Sequence, residues 1–213
     1  MKSNQTIRYK IFLKEFNKRL YNRIDTNTLK RSNCSKNIII YCQLSLWRSY
    51  KLYKVILNSL KDDNFDGLLL SLRAQLEIIG GIGNLLYQNK RLSNSDISSE
   101  CFDNFIEQIL LGSRHESITT EYKSISVLTL IQNTDKLGIF GDENKTFFND
   151  LYNKYSEFCH PNSLSLLANI ETINRGIYKI GNNKFGNKEL QIADDVLLLY
   201  PILLTLFDTV VEI

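Results

Sequence analysis

The sequence predicts an all-α protein, a helical bundle of six to seven helices with a small β-hairpin near 170–186. Three observations carry this expectation. Long segments repeat their apolar residues with the helical period of about 3.6. Only two prolines, Pro161 and Pro201, interrupt the 213 residues, so few points forbid helix. The segment from Gly67 to Lys90 is apolar on nearly every side, as a helix enclosed by others must be. The length suits one domain, here 1–213, with 1–34 as an N-terminal helix and connection and 35–213 as the core bundle.

The first helix is expected over Gln5–Ile24, with Ile7, Ile11, Phe12, Phe16 and Leu20 on one face and basic residues on the other. Thr26 to Asn33 reads as a polar connection, and Ser35 as the N-cap of a long helix to about Leu60. A loop over Asp62–Gly67, with Asp66 as a capping residue, precedes the third helix to Lys90. A fourth helix starts between Asn94 and Ser98 and reaches Leu111, and a fifth covers Ser124–Asp135. After the turn residues of Gly138–Asn144 comes a sixth, Asn144–Cys159. It stops at His160, because Pro161 disfavours helical dihedrals in the residue before it. Ile170–Ile173 and Gly176–Ile180 alternate, with turn chemistry at Gly181, Asn182 and Asn183, which suggests the hairpin. A last helix, Lys188–Val211, should be kinked by Pro201.

Apolar residues make up 43% and charged residues 23%, which excludes disordered, collagenous and disulfide-scaffold classes. Lys and Arg number 26 against 23 Asp and Glu, a net +3 that permits a nucleic-acid partner without implying one. Cys34, Cys42, Cys101 and Cys159 form no C-x-x-C pair, so buried free thiols are expected rather than a zinc ribbon. The charged N-terminus carries no secretory signal, and the uncharged stretch Val196–Phe207 falls short of the roughly 20 residues that span a bilayer. A cytoplasmic location without membrane contact is expected.

Two constellations bear on function. On the third helix, with Arg73 as zero, Glu77 falls at about 40°, Gly80 at about −20° and Asn84 at about 20°, a narrow polar stripe on an apolar rod. A charged pair in such a place is costly unless it is paired or faces a cleft. One reading is an Arg73 guanidinium that binds phosphate, oriented by Glu77. The other is an i,i+4 ion pair on a partly exposed strip, or one that bridges two helices.

The second constellation is His160 at a helix C-terminus. The macrodipole and Glu157, three residues earlier, favour its imidazolium, which suits acid–base work. Asn162 and Ser163 supply polar side chains just beyond Pro161, and Lys154 precedes His160 by six residues. The alternative is a histidine that satisfies the last helical carbonyls, with Pro161 as the stop. His115, after Gly112, reads as a surface turn residue. Glu157 and His160 have the spacing of a carboxylate-bridged di-iron ligand pair, but a second pair is missing, and Cys159 next to His160 is not a zinc spacing. No metal or cofactor is expected. The glycines of Gly80-Gly81-Ile82-Gly83 follow no strand and read as helix-packing residues rather than a phosphate loop.

Leu72-Arg73-Ala74-Gln75-Leu76-Glu77 on an apolar helix, followed much later by Tyr155-Ser156-Glu157-Phe158-Cys159-His160-Pro161-Asn162, resembles the HEPN-like helical proteins of prokaryotes, abortive-infection-like proteins among them. The resemblance spans about Lys36 to Ile213. It implies a helical bundle, frequent homodimers, and metal-independent RNA cleavage in active members, where an arginine shortly before the histidine faces the dimer interface. Lys154 stands here at the position of that arginine.

On this reading the chain is a metal-independent endoribonuclease of a toxin or phage-defence system. His160 is the acid or base, Arg73 stabilises the phosphorane, and Glu77 orients Arg73. Lys154, Asn162 and Asn84 are candidate substrate-binding residues. The competing expectation is a non-catalytic helical interaction module, a dimeric adaptor or an immunity partner; RNA, a second copy of the chain, and a protein partner or antitoxin are the candidate partners. A third is a pocket for a small phosphate ligand at Arg73.

Overall fold

The computed structural model describes residues 3–28, 31–62, 64–113, 121–141, 145–160, 170–175, 177–180 and 187–212. Helix accounts for 75% of them, which settles the all-α class. The elements are α1 (Ser3–Arg19), α2 (Asn33–Lys61), α3 (Phe65–Ser93), α4 (Ser99–Leu111), α5 (Val127–Asp135), α6 (Phe147–Cys159), β1 (Ile170–Asn174), β2 (Ile177–Ile180) and α7 (Asn187–Val211).

The apolar circumference of α3 decides the architecture. Leu68, Leu69, Leu72, Leu76, Ile78, Ile79, Ile82 and Leu85 sweep an arc of about 200° around the helix and are all buried, so α3 must be covered on several sides. It packs against α2, α4, α5, α6 and α7. The amphipathic α1 lies against α2 and α7, closing an aromatic cluster of Phe16, Tyr53 and Tyr200 in which the Tyr53 and Tyr200 rings meet at 4.2 Å. Gly80 and Gly83 let α5 approach α3 closely. A Cβ on Gly80 would lie 2.9 Å from Ile131 Cγ1, and one on Gly83 would overlap Thr134. Thr134 Oγ1 uses that closeness to donate to Gly80 O at 3.1 Å. The expected packing role of these glycines is met.

Several boundaries differ from expectation, each for a local reason. Helix α1 ends at Arg19 rather than Ile24. Gln43 of α2 donates to Arg19 O at 2.9 Å and accepts Tyr21 N–H at 3.0 Å, and Trp47 Nε1 donates to Tyr21 O at 2.9 Å. These side chains take the backbone groups that a longer helix would need. The N-cap of α2 is Ser32, not Ser35; its hydroxyl accepts Ser35 N–H at 3.2 Å. Asn64 rather than Asp66 caps α3, accepting Gly67 N–H at 3.0 Å, and Asp66 lies in the first turn.

Helix α5 begins at Val127, after the extended Ser126 (φ −61°, ψ 134°), and Ser124 N–H is directed to Ser113 O. Helix α6 begins at Phe147, where the Asp135 carboxylate accepts the N–H groups of Phe148 and Asn149 at 2.8 and 3.0 Å. It ends at Cys159 as expected, with His160 extended (φ −88°, ψ 148°). The hairpin exists, but its strands reverse between Asn174 and Ile177; the turn expected at 181–183 lies outside the described residues. Helix α7 runs on through Pro201.

All four cysteines are free, yet only Cys42 is buried and Cys101 is exposed, which corrects the expectation of uniformly buried thiols. Among the described residues no helix is long and apolar enough to cross a membrane, and no cluster of His, Cys, Asp and Glu could hold a metal ion.

Candidate functional site

Asp66, Arg73 and Glu77 recur along α3 at intervals of seven and four residues, so they share one face. Opposite them α6 presents Tyr152 and Tyr155, both buried, and half-buried Cys159. An edge contact between Phe65 and Phe158, with centroids 6.0 Å apart, holds the start of α3 against the end of α6.

Between these faces sits Arg73. Its Nη2 donates to Tyr152 Oη at 3.2 Å, and its guanidinium carbon stands 5.4 Å from the centre of the Tyr152 ring. Glu77 Oε1 lies 3.6 Å from Arg73 Nε, an ion pair but too long for a hydrogen bond. Arg73 Nε is buried without a hydrogen-bond partner, while the side chain as a whole keeps 29% of its exposure. The guanidinium is therefore anchored on one edge and under-satisfied on another. The Tyr152 bond, assisted by Glu77 and Cys159, raises its pKa against the effect of burial, so it is charged at every relevant pH.

Cys159 adds a thiol within hydrogen-bonding reach of Arg73. Burial pushes its pKa up; Arg73 opposes that shift, and Glu77 and Asp66 reinforce it. The thiol is thus protonated at neutral pH, a weak donor rather than a nucleophile.

Of the residues singled out in the sequence, Arg73 and Glu77 come together, and the pair also bridges α3 to α6. His160 follows Cys159 directly, so its Cα lies about 3.8 Å from that of Cys159, exposed at the end of α6. Lys154 turns elsewhere. Its ammonium pairs with Asp195 of α7 at 3.1 Å, and Tyr155 Oη donates to the same carboxylate. Asn84 lies about 16 Å further along α3 than Arg73. It is fully buried, and its Oδ1 accepts from Asn133 Nδ2 of α5 at 2.9 Å. In this structure it joins two helices and reaches no solvent. Asn162 and His115 lie outside the described residues.

Tyr152 and Cys159 escaped the sequence reading, although their seven-residue spacing with Tyr155 between them marks the inward face of α6. Comparison of the chain with protein-family models, with curated proteins and with solved structures finds no match in any of the three.

Proposed function

We propose that the Arg73 cluster binds an RNA phosphodiester and that the chain cleaves it without a metal. In this reaction the 2′-oxygen attacks phosphorus and the bond to the 5′-oxygen breaks. The products are a 2′,3′-cyclic phosphate and a 5′-hydroxyl. His160 takes the 2′-hydroxyl proton or supplies one to the leaving oxygen. Arg73 donates to the non-bridging oxygens as their charge grows, and Glu77 holds its orientation. The observation that carries this reading is the partly exposed guanidinium, held on Tyr152 and Glu77, beside the last turn of the helix that His160 follows directly. Lys154 and Asn84 have no part in it, because their polar groups are engaged elsewhere. The HEPN-like resemblance supplies the setting, a toxin or phage-defence effector acting as a homodimer.

The test is RNA cleavage in excess EDTA by wild type, His160→Ala and Arg73→Lys. Cleavage abolished by the first change and reduced at least tenfold by the second supports the reading. Cleavage unchanged in His160→Ala refutes it.

A second reading, a non-catalytic interaction module, draws on the hairpin. Ile173, Ile177 and Ile180 are 55%, 55% and 79% exposed on a short ribbon, apolar side chains open to a partner surface. An RNA-inactive wild type that self-associates, and loses association in Ile177→Ser, would favour it.

A further inference from the structure

A second site lies where the end of α1, the start of α2 and the end of α7 converge. There a cavity of about 360 Å³ is lined by Tyr21, Arg23, Ile24, Asp25, Thr28, Arg31, Ile39 and Val211. Its volume is within the range of small-ligand sites, about 300–1,000 Å³. A narrower neighbouring cleft, lined in part by Ile38, Leu85 and Phe102, shares Arg31, Ile39 and Val211 with it. The cavity's own lining sets Ile24, Ile39 and Val211 beside its two arginines.

Charge at the mouth has a definite sign. Arg23 and Arg31 are exposed, and among the described residues neither has a hydrogen-bond or ion-pair partner. The one carboxylate of the lining, Asp25, accepts Asn27 N–H at 3.0 Å within its own turn, and against the two arginines it leaves the lining one positive charge in excess. The two guanidinium groups supply donors of the kind that suit carboxylate or phosphate.

The walls are also held in place. The Gln43 and Trp47 bonds fix residues 19–21 on α2. Arg19 binds Asp208 of α7 through two bonds of 2.7 Å. These ties hold the Tyr21 side of the cavity and the end of α7 in place, which lowers the ordering cost of binding there. It is also separate from the Arg73 cluster, since Leu85 lies about 18 Å along α3 from Arg73.

We infer that this cavity binds a small amphiphilic anion, a single carboxylate or phosphate head held by Arg23 and Arg31 with an aliphatic or aromatic tail directed towards Ile39 and Val211. The inference does not depend on RNA cleavage.

Trp47 is the only tryptophan, and its bond to Tyr21 O places it behind the cavity wall, so its emission reports occupancy. The experiment titrates the full chain with octanoate, phenyl phosphate, 1-octanol and inorganic phosphate, by calorimetry and Trp47 fluorescence. Octanoate or phenyl phosphate should bind and shift the emission, and the tighter of the two identifies the preferred head. Octanol and inorganic phosphate should bind at least tenfold more weakly. Arg23→Gln and Arg31→Gln, which break no contact among the described residues, should each weaken binding roughly tenfold. Val211→Asp should do the same by adding a negative charge, and Arg73→Lys should have no effect. Absence of binding by both amphiphiles, equal binding of octanol, or unchanged affinity in both arginine variants would overturn the inference.

Discussion

Arg73 of α3 donates to the hydroxyl of Tyr152 on α6 at 3.2 Å. The charge that the proposed chemistry needs is therefore also a tie between two helices. Tyr152→Phe removes the acceptor and leaves the ring beneath the guanidinium. It should cost about 1 kcal/mol in urea denaturation. The Arg73→Lys and Tyr152→Phe effects should be non-additive, as for any pair in direct contact. Strict additivity would mean that the bond contributes nothing.

Asp135 connects α5 to α6 by accepting two N–H groups at the start of α6. Thr146, the N-cap residue by position, makes no such bond with its side chain. Asp135→Ala should therefore destabilise by about 1–2 kcal/mol, the range for a lost cap. Asp135→Asn should cost less, since its one amide oxygen still accepts one of the two N–H groups.

The same carboxylate has a pH signature. Burial pushes its pKa above the ordinary aspartate value, outweighing the two N–H bonds that pull it down. The folded state thus holds this proton more tightly than the unfolded chain. The contribution of Asp135 to stability should decline as pH rises from about 4 towards the raised value. Comparing the stability–pH profiles of wild type and Asp135→Asn isolates this slope. A slope of opposite sign would contradict the account.

Gly83 faces Thr134 with no room for a methyl group. Gly83→Ala gains about 1 kcal/mol of helix propensity but forces α5 outward, at a typical overpacking cost of about 1–3 kcal/mol. A net loss of stability is expected, and Thr134→Ala in the same chain should recover only part of it, because the residue-134 Cβ still lies 2.8 Å from the new methyl. Thermal melts of the two variants decide the matter.

Thiol reactivity should rank with environment. Burial, and for Cys34 a bond with Asp103, pushes the Cys34 and Cys42 thiols up to about 12. Both should resist iodoacetamide at pH 8, where Cys101, exposed on α4, is alkylated first. Mass spectrometry of timed samples gives the order.

The helices were legible because their signal is periodic and redundant. Each of the seven was expected from apolar spacing, and the α3 glycines were recognised as packing residues because no strand precedes them. Boundaries were less legible where a distant side chain intervenes. Nothing local to Arg19 announces that Gln43 and Trp47 will take its helix's next backbone groups. The same holds at the site. The stripe on α3 placed Arg73 beside Glu77 correctly, since four residues in a helix is a local relation. Lys154 and Asn84 could not be judged in that way, because Asp195 and Asn133, which engage them, belong to other helices.

Arg19 and Asp208 are 189 positions apart. On the ribosome, where chains grow at about 5–20 residues per second, roughly 10–40 s separate the appearance of the two. During that interval α1 has α2 to lean on, but its terminal guanidinium has only Glu15 of its own last turn to bind, with no Asp208 and no Tyr200 against Phe16. Among the described helices α1 precedes the rest in the chain and is yet among the last to settle, and its apolar stripe is the surface a nascent-chain chaperone would meet.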